Sequence, residues 1–152
     1  MPKIDIASVP TRTSTIYPSE FAGQLTGRSK QALGNAAGLE QFGVNLTRLA
    51  PGAISALRHW HENEDEFVFV LEGEATLVED GGETLLKAGE AAGFKAGIAN
   101  GHQIANRSGR DVVYLEIGTR AGTERAHYPD DDLVYERING KNRFMRRDGA
   151  AY

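Results

Sequence analysis

Three of the chain's four histidines, together with one glutamate, are spaced as donors to a single metal ion. From Gly52 to Gly73 the sequence runs G-A-I-S-A-L-R-H-W-H-E-N-E-D-E-F-V-F-V-L-E-G, so His59 and His61 flank one residue and Glu66 follows shortly after. Further along, Gly97-Ile-Ala-Asn-Gly101 leads into His102, and Asn106 closes that second block. Two imidazoles, a carboxylate and a distant third imidazole form a ligand set suited to a divalent transition metal. Four protein donors leave about two positions open on a six-coordinate ion, as catalysis or ligand binding requires. Taken alone, an H-x-H pair is weak evidence and reads more simply as core or surface histidines, and Glu62 to Glu66 as a solvated acidic turn. The two blocks together favour the metal.

The elements that must position these donors are strands. Side chains alternate faces along a strand, which sets His59 and His61 side by side and turns Trp60 the other way, toward packing or a subunit contact. Glu66 has the wrong parity to share a continuous strand with His61. The polar break Asn63-Glu64-Asp65 lets the chain turn, so that Glu66 enters from a neighbouring strand and His102 from a third. Strand-like runs are read at Phe42–Leu46, Ile54–His61, Phe67–Leu71, Ala75–Val78, Glu83–Leu86, Gly89–Phe94, His102–Asn106 and Val112–Ile117. Two more fall around Leu133–Arg137 and Arg143–Arg147, hinged at Asn139-Gly140. Eight to ten short strands, punctuated by eighteen glycines, predict an all-β sandwich or small barrel. Residues 1–41 read as an irregular arm broken at Pro2, Pro10 and Pro18, with at most one helical turn over Arg28–Leu33. Residues 42–118 form the expected core and 119–152 a C-terminal extension of one domain.

Composition narrows the function classes. The chain has 152 residues, enough for one sizeable core, and a formal charge of -4 that provides no broad basic field for nucleic acid or anionic membrane. It has no cysteine, so disulfides and thiolate ligands are excluded and any metal must bind through imidazole and carboxylate. No apolar run approaches the roughly 20 residues of a membrane span, and the N-terminus has no apolar signal core. A soluble, cytoplasmic protein is expected.

The two blocks resemble the paired motifs of the cupin superfamily. The first motif is matched by His59, His61, Glu66 and the closing Gly73, with one extra residue after Gly52. The second is matched by Gly89, Gly97, His102 and Asn106, with Lys95 in place of a proline and two extra residues before His102. The resemblance spans about Phe42 to Ile117 and implies a double-stranded β-helix, or jelly-roll barrel. Residue by residue it implies His59, His61, Glu66 and His102 as ligands of one divalent metal (Fe, Mn, Zn, Ni or Co). Asn100 stands where the unlengthened motif would put its histidine, but His102 keeps the spacing to Asn106 and imidazole is the better ligand.

Other residues carry weaker signals. His127, outside both motifs, reads as a surface residue. Tyr114 and Glu116 share a strand face and either line the cavity or, for Glu116, form an outward salt bridge. Glu62, Glu64 and Asp65 read as a solvated turn, one of which can orient a ligand histidine through its second nitrogen. Lys95 and Arg58 are candidates for attracting an anionic substrate. The leading functional reading is a metal-dependent oxygenase or isomerase acting on a small molecule. The first needs Fe(II) with adjacent open sites, the second a Lewis-acid metal beside a general base. The alternative is a non-catalytic module that binds or senses a small molecule. A homodimer is expected, through the arm and the tail, with no nucleic-acid or membrane partner.

Overall fold

A computed structural model describes residues 3–152, so Pro2 lies outside the described residues. In chain order the strands are β1 (Thr11–Arg12), β2 (Arg28–Ala32), β3 (Phe42–Leu49), β4 (Trp60–His61), β5 (Glu66–Glu72), β6 (Glu74–Glu79), β7 (Gly82–Lys87), β8 (Ala91–Phe94), β9 (Gln103–Ala105), β10 (Val112–Thr119), β11 (Glu124–Tyr128), β12 (Leu133–Ile138) and β13 (Lys141–Met145). Two single-turn helices, α1 (Ser19–Ala22) and α2 (Leu33–Ala36), complete the arm. The architecture is all-β, as the sequence predicts. No helix of the described residues is long and apolar enough to cross a membrane.

The strands form three antiparallel sheets. The large one has the order β1-β2-β3-β10-β5-β8, a smaller one β7-β6-β9, and the third β13-β12-β11-β4. Leu49, Val68, Val70, Leu77, Ile104, Val112 and Tyr114 pack between the large sheet and the three-stranded one. Each fully buried aliphatic side chain there contributes about 1.5–3 kcal/mol. A second apolar cluster ties Tyr128, Leu133 and Tyr135 of the tail sheet to Phe21 of the arm. The donors stand where these two cores meet.

Turn chemistry fixes the registers that matter. Asn139 and Gly140 both have positive φ, 51° and 74°, the backbone of a two-residue hairpin turn that the Asn-Gly pair predicts. Gly73 (φ 81°) separates β5 from β6 with no room to spare: a Cβ there would lie 2.6 Å from the carbonyl oxygen of Asp111. Only glycine fits, and this is the physical content of the first motif's closing residue.

Several sequence expectations change here. Arg28 to Ala32 is strand β2, not a helical turn; the helical turn follows it at α2. Pairing with the β3 edge, Lys30 opposite Thr47 and Ala32 opposite Asn45, overrides a weak local preference. The run Ile54–His61 is not one strand: it contributes single bridges, Ile54 to Ala105 and His59 to His102, and the short β4. Strand β11, paired to both β12 and β4, was not expected. The arm and tail contribute strands and core residues to the chain's own sheets. An apolar face is instead left on the outside of the large sheet, where Val44, Ile117 and Phe67 line up across three strands beside Leu46, Leu115 and Phe69. Phe67 and Leu71 are each 41 % exposed.

Candidate metal centre and ligand cavity

Each donor is positioned by a different piece of backbone. His61 comes from β4, with Trp60 turned away and stacked on His127 at 4.3 Å between ring centroids. Trp60 thus packs within the chain, and His127 is partly exposed and bonded to Glu62 (2.7 Å). Glu66 opens β5, on the inward face it shares with Val68 and Val70. It therefore enters from a different sheet than His61, as its parity requires. His59 and His102 exchange both backbone hydrogen bonds (3.1 and 2.9 Å), and this narrow bridge brings their rings to 5.0 Å.

The four side chains converge. Oε2 of Glu66 lies 2.8 Å from Nε2 of His102, 3.3 Å from Nε2 of His61 and 3.6 Å from Nε2 of His59. Bonds of about 2.0–2.2 Å place neighbouring donors roughly 3.0 Å apart around an octahedral ion and roughly 3.4 Å around a tetrahedral one. The observed separations straddle both. Nδ1 and Nε2 of His61 and Nδ1 of His102 are buried with no hydrogen-bond partner, an arrangement costly in a protein interior unless another group claims them. The donor set fits a divalent metal, and of the orphaned nitrogens Nε2 of His61 is the one that faces the cluster and that such an ion would claim.

Neighbouring groups hold the rings in place. Nδ1–H of His59 donates to the carbonyl of Leu57 (2.7 Å), which leaves the Nε2 lone pair facing the cluster. The His102 ring stacks flat on Phe94, 3.6 Å between centroids. Behind His61, Oε1 of Glu124 stands 3.7 Å from Nδ1, and this carboxylate is fully buried yet accepts backbone N–H bonds from Glu62, Asn63 and Arg125. Burial alone would lower the His61 pKa, but the Glu124 and Glu66 carboxylates outweigh it and hold it up to about 10. Burial pushes the Glu66 carboxyl up, yet the imidazoles of His102, His59 and His61 bring it well below the usual carboxylate range. His102, dominated by burial, is shifted down. Without metal the ionised Glu66 carboxylate thus stands beside a His61 imidazole that keeps its proton.

The second motif resolves cleanly. The amide of Asn100 is spent on the β6–β7 turn, donating to Glu79 (2.9 Å) and accepting from the Asp80 N–H (3.1 Å). His102, not Asn100, therefore faces the cluster. Asn106 is structural: its Nδ2 donates to the carbonyls of Leu49 (2.8 Å) and Arg110 (2.7 Å), while its Oδ1 accepts from Ser108.

A cavity of about 340 Å³ opens beside the donors. Glu64 lines it and is not a solvated turn residue. Its Oε1 accepts from the Ala121 N–H (2.9 Å) and pairs with Arg137, while Oε2 is 3.9 Å from Nδ1 of His61 and holds no hydrogen bond among the described residues. Glu116 also faces inward, in an ion pair with Lys30 (2.7 Å), whereas Tyr114 is sealed in the core. Lys95 borders a smaller cavity of about 210 Å³ on the other side of the cluster. Arg58 is clamped bidentately by Asp130 (2.7 and 2.8 Å) and is a structural tie. Sequence reasoning missed Arg28, Lys30, Glu124 and Arg137. The strands of Arg28, Lys30 and Glu124 carry charges on the inward face, which hides the apolar alternation by which a strand is recognised, and Arg137 gains its role only by pairing with Glu64 across the fold.

The chain matches the family described as Cupin domain over residues 45–118. It is similar to the crystal structure of a sugar phosphate isomerase from a cupin superfamily from Silicibacter pomeroyi, at 45% identity over 99% of this chain and 96% of that one, with a TM-score of 0.96. The chain belongs to the cupin superfamily. This cupin is also similar, at 30% identity over 82% of its length and 80% of the other's and a TM-score of 0.75, to a protein from Acidithiobacillus ferrooxidans proposed to be a sugar phosphate isomerase. The polyketide cyclase RemF of Streptomyces resistomycificus shares the fold at 19% identity and a TM-score of 0.65, covering 78% of this chain and 79% of that one. No match is found among curated proteins.

Proposed function

We propose that this cupin is a divalent-metal-dependent isomerase of a small phosphorylated sugar, with His59, His61, Glu66 and His102 as the metal ligands. The observation that carries the reading is the meeting of three imidazole nitrogens with Glu66 Oε2, at 2.8–3.6 Å, beside a cavity that also holds an unengaged carboxylate oxygen of Glu64. The likeness to the Silicibacter pomeroyi protein supports the reaction class. When bound, the metal polarises a carbonyl as a Lewis acid.

Aldose–ketose interconversion moves a proton from the carbon beside the carbonyl to the former carbonyl carbon, while a hydroxyl proton crosses between the two oxygens. Glu64 is placed to take and return the carbon-bound proton at Oε2. Arg137 and the Ala121 N–H hold Oε1 and fix the carboxylate plane. Phe94 and Tyr128 wall the cavity with apolar rings that keep water from a reactive intermediate. This reading places a general base near the cluster, which isomerisation needs and oxygenase chemistry does not.

Metal-loaded protein incubated in D₂O with a panel of aldose and ketose phosphates tests it. Interconversion with deuterium incorporated at the carbon beside the carbonyl is the expected result. Binding detected as thermal stabilisation without turnover across the panel would overturn it in favour of a non-catalytic sensing module. A homodimer belongs to the same proposal, now through the outer face of Val44, Ile117 and Phe67. A mass in solution of twice 16.5 kDa is expected, and a monomer at micromolar concentration rejects it.

A further inference from the structure

The charged side chains of the cavity do not all balance one another. Lys30 is paired with Glu116 (2.7 Å), Arg137 with Glu64, and Glu66 faces the three imidazoles. Arg28 remains. It is only 9 % exposed, it lines the same cavity, and its described hydrogen bonds go to carbonyl oxygens alone: Ser55 (2.6 Å) and Ser14 (3.4 Å). Among the described residues no carboxylate pairs with it. A guanidinium carries five N–H donors in a planar fork, so two carbonyls leave most of them unspent. Burying such a charge without a counterion is unfavourable, and a protein that does so supplies the counterion or awaits it.

We propose that Arg28 is the anchor for the phosphoryl group of a ligand in the cavity it shares with the metal donors. Two hydroxyls complete the subsite. Oγ of Ser55 accepts the Ile104 N–H (2.9 Å) and Oγ1 of Thr15 accepts the Tyr17 N–H (3.2 Å). Both line the cavity, and each has its own proton left to donate. A guanidinium fork with hydroxyl donors matches a tetrahedral oxyanion. Charge favours an anion here: a divalent ion and Arg28, less the Glu66 and Glu124 carboxylates, leave a net positive charge for the ligand to neutralise. The cavity, about 340 Å³, sits at the small end of ligand-pocket sizes, so a molecule touching both Arg28 and the donors is small. The inference rests on the isomerase reading only for what lies at the metal end.

The test uses inorganic phosphate as the probe on chelator-treated, metal-free protein, by calorimetry at low ionic strength. One phosphate per chain is expected. Arg28→Met should weaken it at least tenfold and Arg28→Lys, which keeps the charge and loses the fork, about three- to tenfold. Both variants should take up metal as the parent does. Acetate should bind the parent at least tenfold more weakly than phosphate. The assignment is overturned if the parent does not bind phosphate, if acetate binds equally well, or if Arg28→Met binds phosphate as tightly as the parent. Should the methionine variant not fold, an Arg28→Lys protein with unchanged phosphate affinity also overturns it. Phosphate binding that depends on Arg28 in a protein that turns over no sugar phosphate would leave this subsite standing and remove the isomerase reading alone.

Discussion

Replacing His59 with alanine is expected to leave a folded protein that no longer retains metal. Apart from the cluster, the His59 ring is tied only by its Nδ1–H bond to Leu57 and a loose stack on Tyr128 at 5.6 Å, so its removal strands no carboxylate other than Glu66. Losing a group that merely supports a ligand costs about 10–100-fold in metal affinity, and losing the ligand itself should exceed that. Metal per chain in protein purified without a histidine tag should fall from about one to background, and turnover with it. Far-ultraviolet circular dichroism should be unchanged. Full metal occupancy in the variant would remove His59 from the ligand set.

Glu64→Gln separates the chemistry from the metal. The substitution keeps the shape and the Ala121 N–H contact but can no longer take a proton. If Glu64 is the base, kcat falls by about 10²- to 10⁴-fold while metal content holds and KM changes little. Deuterium exchange at the substrate carbon should fall in parallel. If Glu64 instead only orients His61, whose Nδ1 it faces at 3.9 Å, the variant would bind metal more weakly and recover its full rate at saturating metal. The two outcomes point in opposite directions, and the metal titration decides between them.

The clustering of these four side chains was legible because its evidence is local. Period-two alternation places His59 and His61 together, and the break at Asn63–Asp65 forces Glu66 onto another strand; both hold in the three-dimensional arrangement. The choice of His102 over Asn100 also follows from chemistry, and the hydrogen bonds of Asn100 to the β6–β7 turn explain why. What surrounds the donors was not legible. Arg28 and Lys30 lie on β2, whose inward residues are charged because they face a cavity and not a core, so the segment reads as patternless. Glu124 breaks the apolar alternation of β11 in the same way, since it is buried behind His61. Glu64 reads as a surface turn residue until Arg137, far along the chain, is seen to pair with it. Strands are recognised by burying apolar faces, and a ligand cavity is where that rule is suspended.

The most direct measurement is anomalous X-ray scattering from crystals of untagged protein, collected at the absorption edge of the metal that elemental analysis finds. The account predicts one peak per chain, about 2.0–2.2 Å from Nε2 of His59, His61 and His102 and from Glu66 Oε2. A metal-replete crystal with no peak there, or with its peak instead among His61, Glu64 and Glu124, the other cluster of metal-capable groups in the fold, would contradict it.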